Sequence, residues 1–422
     1  MDKKEKSKWY ELDNVAKIFP PTSTPKDPRV FRFSCELYEK IDPLILEIAA
    51  EKALKQFPEF KVVLKRGFFW YYLESTHKMP IIKEEKIPPC SPLYRKSSKK
   101  LLFRIQYYQK RINLEVYHAL ADGNGALSFL KTILIYYLTE KYKEEYQNSP
   151  IEIDYDASSY EKMDDSFKKY YKKMKSKKQK NKEKVYTFKG DRVKKGYLNV
   201  IEGQMSVQEV LALAHQYDAT LTSFITGVYV YAMYKNMKEI DKDKTIHIML
   251  PVNLRKFFHS ASARNFFCTV DIKSSFKKKD ITLKDIMKMV NKSFEKELNP
   301  KNVEAKMNGY SKLEKNFVAR LTPLFLKDIV LKIAAQVEGA KSTSVVTNLG
   351  RIELPEKYRH HVKLFDVLVS TGKMQLAICS YQDMLVVSFT SAFVNTDVMK
   401  EFFRILTGLG IKVKLAANHP ER

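Results

Sequence analysis

The stretch His118-Ala-Leu-Ala-Asp122-Gly123 brings an imidazole, a carboxylate and a glycine within six residues. A neutral imidazole titrates near neutral pH and can take a proton from an attacking group, a general-base role worth ~10²–10⁴ in rate. Asp122 is better placed to hold the loop than to touch a substrate, and it also reads as the N-cap of a following helix. Gly123 and Gly125 are read as letting the backbone turn sharply and admit a substrate close to the loop. The bland reading of the same residues is a tight strand-to-helix turn with an Asp cap, so the rest of the chain has to decide.

The surrounding elements are those a positioned base needs. Residues 101–109 ("LLFRIQYYQ") and 112–117 ("INLEVY") alternate as a hairpin turning at Lys110-Arg111, which puts His118 at the end of an apolar strand. From Ala126 the spacing Leu127, Leu130, Leu134, Leu138 is helical. Upstream, 29–37 reads as a strand, Asp42-Pro43 opens a helix that Pro58 ends, and 60–74 reads as a hairpin turning near Arg66-Gly67. Downstream, Ser206-Val-Gln-Glu209 has the pattern of a capping box, 220–237 is helical, and 245–255 is a buried strand closed by a turn. Four strand-like runs follow between Thr343 and Ala392, then a last helix from Asp397. Strands and helices mix in both halves, so the expected class is α/β of the α+β sandwich type, with mixed sheets flanked by helices.

At 422 residues the chain is too long for one compact core and suits two domains. The expected division is an N-terminal domain over 1–165, a Lys-rich linker over 166–197 and a C-terminal domain over 198–422. Between Lys168 and Lys184 ten of seventeen residues are Lys, which marks a solvated linker or helix face. Hydrophobic residues make up 44% of the chain, enough to exclude wholesale disorder. No apolar run after the charged N-terminus suggests an export signal, and none approaches the length of a membrane span. The four cysteines are far apart and lack a Cys-x-x-Cys, so a reducing cytoplasm is the expected compartment, its membrane surface included. A net charge of +26 favours anionic partners: phosphate-bearing cofactors, an acidic carrier protein, nucleic acid or an anionic membrane.

Three further stretches, in order along the chain, carry a resemblance. Pro251-Val-Asn-Leu-Arg255 is an arginine-bearing turn, Arg264-Asn265-Phe266 follows it, and Thr347-Asn348-Leu349-Gly350 lies near the end. With H-x-x-x-D-G, the chain resembles the CoA-dependent acyltransferase superfamily: chloramphenicol acetyltransferase, condensation domains, and the alcohol acetyltransferase-like branch. Arg264 stands where the family's G-N-F has glycine, and the D-F-G-W-G of the plant enzymes is absent.

The resemblance implies two chloramphenicol-acetyltransferase-like domains with an active-site channel at their interface. It implies His118 as the base that deprotonates an alcohol or amine attacking an acyl-CoA thioester, and an ion pair between Asp122 and Arg255. A tetrahedral oxyanion would form and needs donors. Thr347 and Asn348 are the first candidates, Ser370 and Thr371 the second. Acyl-CoA is then a co-substrate, no tightly bound cofactor or metal is implied, and a monomer with a small-molecule or lipid-like acceptor is expected. Two alternatives remain at this point. One is a condensation-type enzyme fed by an acidic acyl carrier protein. The other is a basic protein binding nucleic acid or anionic membrane without catalysis.

Overall fold

The computed structural model describes residues 8–95, 99–147, 149–151, 153, 165–172, 183–276, 280–314 and 321–418. Most of the Lys-rich run, 173–182, lies outside the described residues.

One sheet is built from β2 (Val30–Leu37), β5 (Lys83–Glu84), β6 (Phe103–Tyr108), β7 (Arg111–Tyr117) and β12 (Val362–Val369), in the order β12-β2-β7-β6-β5. A second is built from β8 (Asn199–Ser206), β9 (Ile246–Asn253), β10 (Phe267–Ser274), β11 (Ser344–Ile352), β13 (Met374–Tyr381), β14 (Met384–Ser391) and β15 (Lys414–Ala417), in the order β10-β9-β11-β13-β14-β8-β15. β1 (Trp9–Glu11), β3 (Val62–Arg66) and β4 (Tyr71–Ser75) make a small third sheet. Both large sheets are mixed: β11 runs parallel to β9 and β13, and β5 parallel to β6, in otherwise antiparallel neighbourhoods.

The helices follow from caps and apolar spacing. In chain order they are α1 (Phe19–Thr22), α2 (Pro43–Gln56), α3 (Gly123–Lys141), α4 (Lys143–Tyr146), α5 (Ser166–Tyr170), α6 (Val207–His215), α7 (Leu221–Asn236), α8 (Leu283–Glu297), α9 (Pro300–Glu314), α10 (Leu324–Ala340) and α11 (Asp397–Gly408). Asp42 caps α2 by accepting from Leu44 and Ile45 N–H, and Pro43 sits at its first turn, where no donor is needed. α2 and α3 bury Leu46, Ala49, Ala53, Phe129, Leu130 and Ile133 against the first sheet. α7, α8 and α11 bury Phe224, Val228, Ile286 and Phe402 against the second.

Two expectations need correction, and two features of the fold had no counterpart in them. The hairpin before His118 turns one residue earlier, at Gln109-Lys110, with Gln109 at φ +49° and Arg111 already paired with Tyr108. Ser206 accepts from Glu209 N–H as expected, but the carboxylate that completes this helix start is Asp383, which accepts from Ser206 Oγ at 2.8 Å and from Gln208 N–H at 3.0 Å. The run at 362–369 does not join the second sheet. It crosses to the edge of the first and pairs with β2, Phe365 opposite Cys35 and Asp366 opposite Ser34. A half-buried cation fixes that crossing: Arg111 of β7 reaches Asp366 of β12 at 2.8 Å and Glu202 of β8 at 3.1 Å, tying the two large sheets together. Finally, α8, α9 and α10 fill a stretch, 283–340, for which the sequence reading assigned no element.

Candidate active site

His118 follows β7 directly, and its backbone is held from both halves of the chain. Its N–H donates to Arg29 O at 2.9 Å, and its carbonyl accepts from Asn265 Nδ2 at 3.0 Å. The ring stacks on Phe19 (centroids 4.9 Å apart), tilts against Phe31 (4.6 Å) and has Phe267 at 6.4 Å. Nδ1 is buried with no hydrogen-bond partner among the described residues, so the accessible edge of this half-buried ring is the Nε2 side. Burial among aromatics pushes the imidazole down to about 4, helped by the nearby Arg29 charge and opposed by Asp122. That corrects the expectation of a base titrating near 7. The ring is neutral throughout the physiological range because the site desolvates its cation.

Asp122 is both cap and ion-pair partner. Oδ1 accepts from Asn124 N–H at 3.1 Å and Gly125 N–H at 3.0 Å, closing the first turn of α3. Oδ2 accepts from Arg255 Nη1 at 2.7 Å and Phe266 N–H at 3.0 Å. Arg255 spends its other donors on carbonyls of its own turn, Ser262 O at 2.7 Å and Arg264 O at 2.6 Å. The carboxylate therefore braces the start of α3 against the 253–266 turn of the second half.

The glycines serve close approach, not a sharp turn. Neither Gly123 nor Gly125 has positive φ. A Cβ on Gly125 would lie 2.0 Å from Ala263 O, so the first turn of α3 touches the backbone of the second half here. A Cβ on Gly123 would lie 3.8 Å from Phe33 Cζ and 3.0 Å from Leu349 Cδ2, both side-chain tips.

That last contact locates Thr347-Asn348-Leu349-Gly350: the segment lies across the H-x-x-x-D-G loop. Thr347 is half-buried, two residues before Leu349 and just ahead of the irregularity that breaks the β11–β13 register between Asn348 and Arg351. The Thr347 hydroxyl makes no hydrogen bond among the described residues. Asn348 is partly committed, its Nδ2 donating to Thr222 Oγ1 at 2.6 Å and its Oδ1 accepting from Gly350 N–H at 2.7 Å, across a β-bulge. Gly350 sits at φ +77°. Ser370 is fully committed. Its hydroxyl gives its one proton to Asp27 at 3.0 Å and accepts from Val30 N–H at 2.9 Å. Thr371 is buried and accepts from Lys373 N–H at 2.9 Å. Thr347 and Asn348 thus lie on the strand whose Leu349 reaches the loop, with the Thr347 hydroxyl uncommitted among the described residues, while Ser370 and Thr371 hold the start of β2 and a tight turn.

Two residues escaped the sequence reading. Asp13 accepts from Asn265 Nδ2 at 2.9 Å and from Ala16 N–H at 2.7 Å, so one buried carboxylate anchors both the N-terminal segment and the amide that holds His118. Burial raises the Asp13 carboxyl above the usual range, against its hydrogen bonds and the Arg264 charge. Phe19 supplies the stacking face of His118 from far up the chain. An isolated Asp and Phe give no pattern to read, though Asn265 itself stood in a matched motif. His360 and His361 lie away from this site, on Glu145: Nε2 of His360 is 3.2 Å from Oε1, and Nε2 of His361 is 3.4 Å from Oε2.

No family model matches the sequence, and no curated protein matches it closely enough to name. The fold is nevertheless shared with solved acyltransferase-superfamily structures over nearly the whole chain. TRI101 of F. graminearum, solved with ethyl coenzyme A, superposes with a TM-score of 0.65 at 9% identity, covering 96% of this chain and 99% of that one. The first condensation domain of the CDA synthetase gives 0.62 at 11%, covering 95% of each. Polyketide synthase associated protein 5 from Mycobacterium tuberculosis gives 0.58 at 11%, covering 94% and 97%. The chain has the two-domain fold of CoA-dependent acetyltransferases and condensation domains, as the motif order implied.

Proposed function

We propose that the chain is an acyltransferase that moves an acyl group from an acyl-CoA thioester to an alcohol or amine, with His118 as general base. The observation that carries this reading is the His118 ring itself: neutral, aromatic-walled and open on its Nε2 edge, on a backbone whose carbonyl Asn265 holds where the two halves meet. Nε2 takes the acceptor's proton as oxygen or nitrogen attacks the thioester carbon. The tetrahedral oxyanion is met by Thr347 Oγ–H. The intermediate collapses with cleavage of the C–S bond, and the thiolate recovers the proton from the imidazolium. A base held below its ordinary range gives up that proton readily, which suits the second transfer. Excess positive charge favours a phosphate-bearing donor.

The test is thiol release from acetyl-CoA and octanoyl-CoA, measured with a panel of primary alcohols and amines, for wild type and His118→Ala. Acceptor-dependent release that falls by ~10²-fold or more in the variant, with its melting temperature retained, supports the reading. Release that His118→Ala leaves unchanged overturns it.

A further inference from the structure

α10 is inside out. Its apolar residues Phe325, Leu326, Ile329, Val330, Ile333 and Val337 recur every three or four positions and so form one stripe. A surface helix normally turns such a stripe to the core. Here each of the six is 43–63% exposed, while Lys327 and Asp328, on the opposite side, are buried. Those two polar residues dock the helix on the β3–β4 hairpin. Asp328 accepts from Tyr71 OH at 2.9 Å, Lys327 Nζ donates to Phe69 O at 3.1 Å, and the same ammonium lies 3.4 Å over the Trp70 ring. The hairpin tip continues the apolar face: Phe68 is 73% exposed, and its carbonyl accepts from Leu324 N–H at 2.9 Å.

A cationic groove lies beside the same hairpin. A cavity of about 650 Å³ is lined by Lys78, Arg95, Lys99, Lys100 and Arg104, with no carboxylate on its wall among the described residues. It is joined to the hairpin by a bridge between Val63 and Leu101 and by Tyr94, which follows the lining residue Leu93 and lies close to Tyr71 and Asp328. Cationic side chains on one element and exposed aromatic and aliphatic ones on its neighbours are what a surface resting in a membrane interface needs, where anionic headgroups meet the cations. A second copy of the chain fits less well. A two-fold interface on this face pairs the patch with itself, so the basic groove meets no surface of opposite charge there. The face is also close to the site: α10 packs on α1, whose Phe19 stacks on His118.

We propose that this face docks on a bilayer containing anionic phospholipid, with the outer stripe of α10 and Phe68 at the headgroup–acyl boundary and the groove on lipid phosphates. The docking stands whether or not His118 carries out acyl transfer. The experiment is co-sedimentation of the full chain with phosphatidylcholine vesicles with and without phosphatidylglycerol, at low and high salt. Wild type is expected to pellet with the anionic vesicles and to release as salt rises. Ile329→Asp/Ile333→Asp, Phe68→Ser and Lys99→Glu/Lys100→Glu are each expected to lower binding by roughly tenfold or more. All of these positions are exposed, so the melting temperature is expected to hold, and the hairpin and groove variants report even where the helix variant misfolds. His118→Ala is expected to bind like wild type, which separates this test from that of acyl transfer. Wild type left in the supernatant with anionic vesicles overturns the proposal. So do folded variants that bind undiminished, or a wild-type dimer that Phe68→Ser turns into monomers with no vesicle binding.

Discussion

Asp122 and Arg255, 133 residues apart, meet at 2.7 Å with side chains only 5% and 14% exposed, so the first turn of α3 and the turn after β9 are locked by one shielded ion pair. Removing one partner of such a pair strands the other charge, typically at ~3–5 kcal/mol. Each partner here keeps backbone company: Arg255 retains two carbonyls, and Asp122 retains three N–H donors. The cost of Asp122→Asn or Arg255→Leu is therefore expected near the low end, about 3 kcal/mol. Asp122→Asn/Arg255→Leu together should lose clearly less than the sum, because no charge is left uncompensated. Chemical denaturation of the four proteins checks this, and additive losses would show that the contact carries no coupling.

Gly125 and Gly123 should answer alanine oppositely. At Gly125 the new methyl meets a backbone carbonyl at 2.0 Å, so the two halves must part. A loss of ~2 kcal/mol or more is expected, with a fall in any activity that needs the His118 loop in place. At Gly123 the methyl meets the far end of a leucine, and alanine suits a helix better than glycine by roughly 0.5–1 kcal/mol. Gly123→Ala is expected to be close to neutral. Paired melting curves decide, and equal effects would contradict the close-approach account.

What was legible in the sequence was local. Alternation in "INLEVY", the Asp42 cap and the capped start at Ser206 could be read because each depends on neighbours a few positions away. The four motif stretches were legible for the same reason, and the structure brings them to one place. The crossing of β12 into the first sheet was not legible, because "KLFDVLVSTG" looks the same in either sheet, and its allegiance is set by Arg111 meeting Asp366 across 255 positions. Ser370 passed for an oxyanion donor because a hydroxyl near a motif looks free until Asp27 and Val30 come beside it. The depressed imidazole of His118 was hidden for the same reason: Phe19, Phe31 and Phe267 surround it only in the fold.

That desolvated imidazole makes a pH prediction. Its ordinary value is about 6.5, and in the fold it lies at about 4. Above pH 6.5 the ring is neutral in both folded and unfolded chains, and the stability it permits is fully present. As pH falls from 6.5 toward 4 the unfolded chain takes up a proton that the folded chain refuses, so stability is lost, roughly 3 kcal/mol by the lower end. Wild type and His118→Ala should therefore converge or cross in stability as the solution is acidified across this window. The acid limb of turnover should likewise fall well below 6.5. A limb at or above 6.5 would show that the ring is better solvated than its packing indicates.

Thr347 and Ser370 give the sharpest contrast at the proposed oxyanion position. Thr347 has a hydroxyl with no hydrogen bond among the described residues, on the strand whose Leu349 lies against Gly123. Thr347→Val keeps the β-branched shape and removes a hydroxyl that makes no hydrogen bond among the described residues, so folding is expected to stay within about 1 kcal/mol. Loss of an oxyanion donor typically costs ~10²–10³ in turnover, and that fall is expected in kcat with KM little changed, since the oxyanion exists only beyond the ground state. Ser370 is the opposite case. Its hydroxyl ties Asp27 and Val30 N–H at the start of β2, two residues before Arg32. Ser370→Ala leaves a buried N–H unpaired, at ~1–3 kcal/mol, and should lower the melting temperature while turnover per folded molecule changes little. Steady-state kinetics and melting curves on the two variants separate the roles. A Thr347→Val enzyme with unchanged kcat would move the oxyanion donor elsewhere on the loop, with the second N–H of Asn348 the next position to substitute.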